Sequence, residues 1–189
     1  DSYLDGLYRR LLELGRDKLY IRFADRFIWA IMRDMDPGHD AARAPALAAQ
    51  VALRFLCEDP FFYSTTEDIY SQAGVPTNPF TFSVANNGEA PTPMRIEIKA
   101  VGGAVTDVKL TNTGTSLFVR MTGAISNLQT LEIDTSKRTM LNAGSNALNN
   151  LGAGSSINME LLRGTNNFQY DGPTGVDLSL YRTKRYLHG

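Results

Sequence analysis

The sequence predicts a mainly β protein whose two parts differ in character. Many short apolar runs are separated by turn-forming residues, and in several runs apolar and polar residues alternate with a period of two, as is typical of strands. Composition changes near residue 70. Residues 1–70 contain no Asn, whereas residues 71–189 contain twelve, together with thirteen of the sixteen Gly. We therefore expect two β-rich parts that divide near residue 70.

The division is predicted to lie where residues that break regular structure collect. The segment 71–79 contains Gly74, Pro76 and Pro79, which favour turns and extended backbone. A chain of 189 residues can bury a core in one large domain or in two small ones. We predict a first domain over residues 1–70 and a second over residues 75–189.

The first part is predicted to contain one helix followed by three strands. Apolar residues recur at three- and four-residue spacing between residues 3 and 14, with Ser2 as N-cap and Gly15 as C-terminal stop. From residue 19 to residue 32 the period changes to two around a short polar turn, which indicates a hairpin. Residues 47–57 alternate again and predict a long strand with one apolar face.

The second part is predicted to be a β-sandwich or barrel, because it combines many short strands with turn signals and no convincing helix. Residues 142–156 have no apolar periodicity and are predicted to form a flexible surface loop. The eight predicted strands cover residues 80–84, 94–100, 105–110, 117–121, 128–133, 157–161, 168–170 and 176–181.

Charge and hydropathy exclude several classes of function. Nineteen Lys and Arg against twenty Asp and Glu give a net charge of -1, too balanced for a specific nucleic-acid binder or a polybasic membrane anchor. The apolar runs are too short to span a membrane. The chain begins with Asp1 instead of Met, at a predicted helix cap, so we expect that a segment upstream has been cleaved or left out. Cys57 is the single cysteine and is predicted to be a buried structural thiol.

Several segments, taken in order, resemble the distal tail proteins of long-tailed, siphovirus-type bacteriophages. The first part matches in its hairpin and in the acidic-Pro-aromatic-Tyr-Ser junction that follows its last strand. The second part matches in its opening turn, in a strand before a basic turn, and in its closing segments. The matching segments are YIR at 20–22, DRFIWA at 25–30, FLCEDPFFYS at 55–64, NNGEAPTP at 86–93, LEIDT at 131–135, LLRGTNNF at 161–168, and residues 176–186.

The resemblance implies a hexameric ring in the virion tail that joins the tail tube to the tail tip or baseplate. It also implies a partial split-barrel ring domain with one helix, followed by a galectin-like β-sandwich. In the family the ring domain begins with strands that precede the helix, whereas this chain starts at the helix. We therefore expect either that the first part of the ring domain is missing from this chain, or that its strands complete a different barrel.

The residues themselves also favour self-association. The run 27–32 and the strand 47–57 offer more apolar surface than one helix and three strands can bury, and open sheet edges invite pairing with another subunit. We predict an interface between copies of the chain that includes Ile28, Trp29 and Phe55. The expected partners are further copies in a ring, the tail tube protein, and the tail tip or baseplate hub protein.

Side chains that could carry chemistry are few, and no cofactor is expected. Asp34, Asp36, His39 and Asp40 have the close spacing of a cation site but lack the full EF-hand pattern, so a solvated acidic turn is favoured. The two histidines, His39 and His188, are poorly placed for nucleophilic catalysis.

Glu132 and Asp134 have the same-face spacing of a carboxylate pair on a strand, as a glycosidase would require. Asp134 is better explained by a side chain that folds back onto the turn backbone. No catalytic, metal or cofactor residue is therefore predicted, and the chain is expected not to be an enzyme.

The sequence favours a ring adaptor and leaves two alternatives. One is a carbohydrate-binding module for host recognition, in which Trp29, Tyr170, Tyr181 or Tyr186 would stack on sugar rings; such aromatics are more often core or interface residues. The other is a tail-tube subunit, which shares a similar barrel.

Overall fold

The computed structural model describes residues 19–36 and 52–187, and for residues 34–36 and 52–53 it describes the backbone only. The chain divides into a first unit, which ends at Tyr63 and includes Leu187, and a second unit, Ser64–Tyr186. The predicted helix at residues 3–14 and the start of the predicted strand 47–57 lie outside the described residues. The described strands are β1 Leu19–Phe23, β2 Arg26–Asp36, β3 Ala52–Leu56, β4 Phe62–Ser64, β5 Asp68–Gln72, β6 Phe80–Asn86, β7 Thr92–Pro93, β8 Arg95–Ala100, β9 Val105–Asn112, β10 Leu117–Ile125, β11 Thr130–Asp134, β12 Thr139–Asn142, β13 Ser145–Asn146, β14 Glu160–Leu161, β15 Gly164–Asp171, β16 Val176–Arg182 and β17 Arg185–Tyr186.

The first unit contains the predicted hairpin. β1 and β2 pair antiparallel from Leu19 opposite Ala30 to Phe23 opposite Arg26, so a two-residue turn connects them. Ala24 in that turn has a φ of 50°, a positive value of the kind that tight two-residue hairpins use. β3 pairs antiparallel with β2, with a register shift after Met32, and β4 also neighbours β2.

The second unit is a β-sandwich. One sheet has the strand order β10-β9-β15-β6, the other has the order β13-β12-β11-β8-β16-β5, and β7 and β14 form a small separate pair. Every pairing with an assigned register among these strands is antiparallel. The structure confirms the mainly β class and the sandwich, whereas the split barrel of the first part stays a prediction.

Alternating burial positions the sandwich core. In β8 and β16 every second residue is buried, so one face of each strand points into the sandwich and the other points to solvent. The sheets also meet through aromatic rings, because the Tyr70 ring from one sheet stacks on Phe82 from the other with centroids 4.6 Å apart. The fully buried residues include Ile96, Ile98, Leu110, Met121, Leu131, Phe168, Tyr170, Leu178 and Leu180.

The segment predicted to link two domains lies within the second unit. β5 at Asp68–Gln72 pairs with β16, and Val75 is buried and donates its N–H to the carbonyl of Val176 at 2.8 Å. The boundary between the two units therefore falls between Tyr63 and Ser64 rather than within residues 71–79. The independent folding of the two parts as domains stays a prediction.

Residues 142–156 differ from the predicted flexible loop, because residues 142–146 pair in the β12–β13 hairpin and residues 150–156 lie along the outer edge of β10. Gly152 donates its N–H to the Arg120 carbonyl at 2.8 Å, and Ser156 donates to the Phe118 carbonyl at 2.7 Å. The Ser155 hydroxyl accepts the N–H of Arg120 at 3.1 Å. The segment also contains β13 and a short 3-10 helix at Leu148–Asn150. It therefore occupies backbone groups that an edge strand would otherwise leave open.

Candidate functional site

The outstanding surface of the first unit is a cluster of aromatic rings on one face of the hairpin. Tyr20 lies opposite Trp29 in the register, and Phe27 lies two residues from Trp29, so the three side chains share a face. Ring centroids are 4.5 Å apart for Tyr20 and Phe27, 5.5 Å for Tyr20 and Trp29, and 5.8 Å for Phe27 and Trp29. Tyr63 of β4 extends the cluster by stacking on Phe27 at 5.5 Å. We refer to Tyr20, Phe27, Trp29 and Tyr63 as the aromatic face.

The rings of the aromatic face remain accessible although they touch one another. Tyr20 is 49% exposed and Trp29 is 41% exposed. Aromatic side chains of this size bury a large apolar area when a partner covers them, and they are enriched at protein interfaces. The face is therefore suited to contact with another protein surface.

The other side of the same sheet combines a buried centre with exposed rings. Ile28, Ala30 and Met32 are buried there, whereas Phe23 is 48% exposed and Phe55, opposite Met32, is 40% exposed. Among the predicted interface residues, Trp29 and Phe55 are thus accessible on opposite sides of the sheet, whereas Ile28 lies in the interior. Their role in an interface stays a prediction.

A pocket of about 230 Å³ lies beside the aromatic face, lined by the apolar residues Trp29, Ile31 and Leu56 and by the carboxylates Glu58 and Asp59. Asp59 is held in place because its carboxylate accepts the N–H of Phe61 at 3.1 Å and the hydroxyl of Tyr63. The pocket therefore combines apolar lining residues with a carboxylate that is fixed in place.

The prediction that Cys57 is a buried structural thiol is wrong. The residue follows the end of β3 and its side chain is exposed, as Leu56 is at 38%. Alternation in the sequence shows which residues share a face of a strand but not whether anything covers that face.

The two carboxylates considered as a glycosidase pair have separate structural roles. The side chain of Asp134 accepts the N–H groups of Ser136 at 3.0 Å and Lys137 at 2.9 Å, as predicted for a turn cap. Burial acts to raise the pKa of Asp134, but the donors from Lys137 and Ser136 and the Lys137 ammonium bring that pKa below its usual value. Glu132 instead lies 3.9 Å from the guanidinium of Arg95, beside Glu97 and Glu67. Asp134, whose pKa is lowered, is therefore not arranged to act as a general acid, and Glu132 lies among other charged side chains instead of facing it as a catalytic partner.

The remaining candidates for chemistry lie mostly beyond the described part of the chain. His39, Asp40 and His188, and the side chains of Asp34 and Asp36, are outside it. Within residues 19–36 and 52–187, no group of three or more His, Cys, Asp and Glu could hold a metal ion. In the same ranges, no helix is long and apolar enough to cross a membrane.

The aromatic residues proposed to stack on sugars are also dispersed. Tyr170 is fully buried in the sandwich core, and the ring of Tyr181 is covered by the Arg95 guanidinium at 3.8 Å. Trp29 alone among them is strongly exposed, and it belongs to the aromatic face. The sequence analysis did not predict that Tyr20 and Phe27 pack against Trp29. The period-two spacing of Phe27 and Trp29, on the strand that pairs with the strand of Tyr20, could have indicated it.

The second unit is thus a β-sandwich, and the sheet of the first unit carries exposed aromatic rings. Residues 87–186, more than half of the chain, match the family model described as the siphovirus-type tail component, C-terminal domain, of the SPP1 Dit type. The chain therefore belongs to this family of siphovirus-type tail components, the distal tail proteins, and is a structural component of the virion tail. The resemblance inferred from the sequence is confirmed.

A solved structure shares the fold. The crystal structure of the Dit protein of phage SPP1, described as a paradigm of the hub adsorption apparatus in phages that infect Gram-positive hosts, matches with a TM-score of 0.67 at 15% sequence identity. The match covers 87% of this chain and 62% of the SPP1 protein, so this chain spans less than two thirds of that relative. No curated protein matches the chain significantly.

Proposed function

We propose that this chain is the ring-forming adaptor of a siphovirus tail, joining the tail tube to the tail tip or baseplate hub, and that it has no catalytic activity. The observation that carries the proposal is the aromatic face of the first unit, in a chain that belongs to the distal tail family. Its rings pack against one another and remain exposed to solvent, and Tyr20 and Trp29 each keep more than 40% of their surface accessible.

The distribution of apolar surface supports a ring built from the first unit. Trp29 is exposed on one side of the sheet and Phe55 on the other, so each copy can present two different surfaces to two neighbours. Contacts between unlike surfaces, repeated around a rotation axis that closes, generate rings. Burial of one large apolar side chain contributes roughly 1.5–3 kcal/mol, so a few such residues at each interface suffice to influence assembly strongly.

The test compares Trp29→Ser and Phe55→Ser with Leu162→Ser, measured by multi-angle light scattering and negative-stain electron microscopy of the full chain. Leu162 is a matched control, because it is an exposed apolar residue at 48% and lies in the second unit. The parent and the control are expected to form single rings, and the first two variants to shift towards monomers. A monomeric parent, or an equal loss in the control, would contradict the proposal. Long tubes would favour the tail-tube alternative.

The second unit is proposed to be an appendage that takes no part in closing the ring. It has a core of its own, formed by residues between Val75 and Leu180 that all lie within this unit. A fragment of residues 64–187 is therefore expected to be folded and monomeric by circular dichroism and light scattering. An oligomeric fragment would show that the second unit contributes to the ring interface.

A further inference from the structure

We infer that the outer face of the β10-β9-β15-β6 sheet carries a binding site for an uncharged saccharide, a role separate from ring formation. An open cleft of about 730 Å³ lies on this face. Its polar lining residues are Asn78, Asp107, Lys109, Arg120, Gln169 and Asp171.

The lining side chains come from adjacent strands at one level of the sheet. The register places Arg120 opposite Lys109, and Lys109 opposite Asp171, so these three residues form a row across β10, β9 and β15. Gln169 lies two residues from Asp171 on the same face and donates to its carboxylate at 2.7 Å. The row is therefore a flat array of hydrogen-bonding groups on a rigid sheet.

Asp107 lies at an irregularity in the pairing of β9 with β10, beside Arg120. The pairing of β9 with β10 shifts register between Met121 and Ala124, opposite Asp107, and Asp107 has a φ of 57°. A left-handed residue in a strand is uncommon and costs free energy, and bulges of this kind re-aim side chains. Here the bulge gives a two-pronged pair, with Nε and Nη2 of Arg120 at 2.5 Å and 2.6 Å from the Asp107 oxygens.

Several polar groups of the cleft are left without a protein partner. In the part of the chain that the structure describes, Nη1 of Arg120, Nδ2 of Asn78, Oε1 of Gln169 and the Lys109 ammonium have no hydrogen-bond partner. The Lys109 ammonium lies over the Phe118 ring, 4.7 Å from its centroid. Donors and acceptors that stand side by side suit vicinal hydroxyl groups, each of which donates and accepts.

Charge and polarity narrow the class of ligand. Two cations, Lys109 and Arg120, face two carboxylates, Asp107 and Asp171, so the cleft has no net charge and does not favour an anion or a nucleic acid. Among the residues that the structure describes, Pro173 is the only apolar side chain in the lining of the cleft, so an apolar protein segment would gain little from binding there. A neutral, hydroxyl-rich ring fits both conditions.

The experiment is saturation-transfer difference NMR of the full chain with methyl glycosides of glucose, galactose and N-acetylglucosamine, and with inorganic phosphate as the charged probe. The glycosides are used at about 10 mM, because weak single-site binding has a Kd near the millimolar range. Saturation transfer to at least one glycoside is expected. Transfer to none of them, or binding of phosphate alone, would overturn the inference.

Variants locate the site. Asp107→Asn keeps a residue type that tolerates the left-handed backbone, and Lys109→Gln removes the ammonium; each is expected to weaken binding roughly tenfold or more, as loss of a charged hydrogen-bonding group does. Lys99→Gln is the control, because Lys99 is exposed on the other sheet. Unchanged binding in both cleft variants would place the sugar elsewhere and refute the site. The light-scattering ring test is independent of this outcome.

Discussion

Replacing Asn86 by Asp should strongly destabilise the second unit, although the two side chains have nearly the same shape. Asn86 is 1% exposed, and its Nδ2 donates to the carbonyls of Ala90 at 3.0 Å and Leu161 at 3.1 Å. Its Oδ1 accepts the N–H of Gly88 at 3.0 Å. One amide thus satisfies three buried backbone groups from the β6–β7 turn and from β14.

The expected loss of unfolding free energy follows from the buried groups that a carboxylate at position 86 could no longer satisfy. The change removes both donors and faces two carbonyl oxygens with a negative group, and each unsatisfied buried polar group costs about 1–3 kcal/mol. A loss of about 3 kcal/mol or more is expected, which for a unit of this size lowers Tm by about 10 °C. Burial should raise the pKa of the new carboxyl group. Its protonated form is favoured in the folded state, so the deficit should shrink as pH falls from 7 towards 5.

The assay is thermal unfolding of the full chain, followed by circular dichroism at pH 7 and pH 5. Asn149→Asp is the matched control, because Asn149 is exposed in the 3-10 helix and its amide serves no buried group. A midpoint within about 2 °C of the parent, or an equal drop in the control, would show that the Asn86 amide does not hold these segments together.

Three further predictions concern other features. Burial raises the pKa of Tyr170 to about 12, so the stability contributed by the buried, protonated phenol should be intact below pH 10 and lost as pH rises towards 12. In alkaline unfolding curves, Tyr170→Phe should therefore lose less stability than the parent between pH 10 and pH 12. Curves with the same pH dependence for parent and variant would contradict this prediction. Cys57 should react with maleimide at the rate of a free thiol without denaturant, and protection until unfolding would contradict its exposure. Gly88→Ala should lower Tm by several degrees, because its Cβ would lie 2.6 Å from the Arg185 carbonyl oxygen; Gly114→Ala, whose nearest neighbour is at 3.4 Å, should have little effect, and equal shifts in both would refute the steric cause.

The sequence predicted those parts of the fold in which side-chain periodicity reports burial. The hairpin β1–β2 and the strands β8, β9 and β16 have strong alternation because one face of each packs on a core. β5 and β12 were missed, since each is short and has only one or two large apolar residues. Their place is determined by pairing with neighbouring strands, which a single sequence does not display.

The candidate surfaces were harder to predict, because they depend on what lies opposite each strand. The same apolar alternation gives a buried Ile28 and an exposed Phe55. In the cleft, Asp107 and Arg120 are thirteen residues apart, and Gly123 in the opposing strand is the only turn-type residue at the register shift beside them, which is too weak a signal to predict the pair. Turn chemistry was more informative, since the Asp134 cap depends on residues only two and three positions away.

The covered edge of β10 gives a physical reason why an adaptor could associate through its first unit only. An uncovered edge strand offers backbone groups to any other strand, so an outer domain present in several copies would risk unspecific pairing. At β10 this risk is removed by residues 150–156, whose backbone bonds to Arg120 and Phe118 occupy the edge, and by the isolated bridge between Met121 and Leu151. A Cβ at position 152 would lie 3.1 Å from the Arg120 side chain, so a larger residue than Gly152 would require that side chain to shift. A segment rich in Gly, Ser and Asn that looks unstructured in the sequence thus covers the edge of β10, and this cover supports the proposal that only the first unit takes part in assembly.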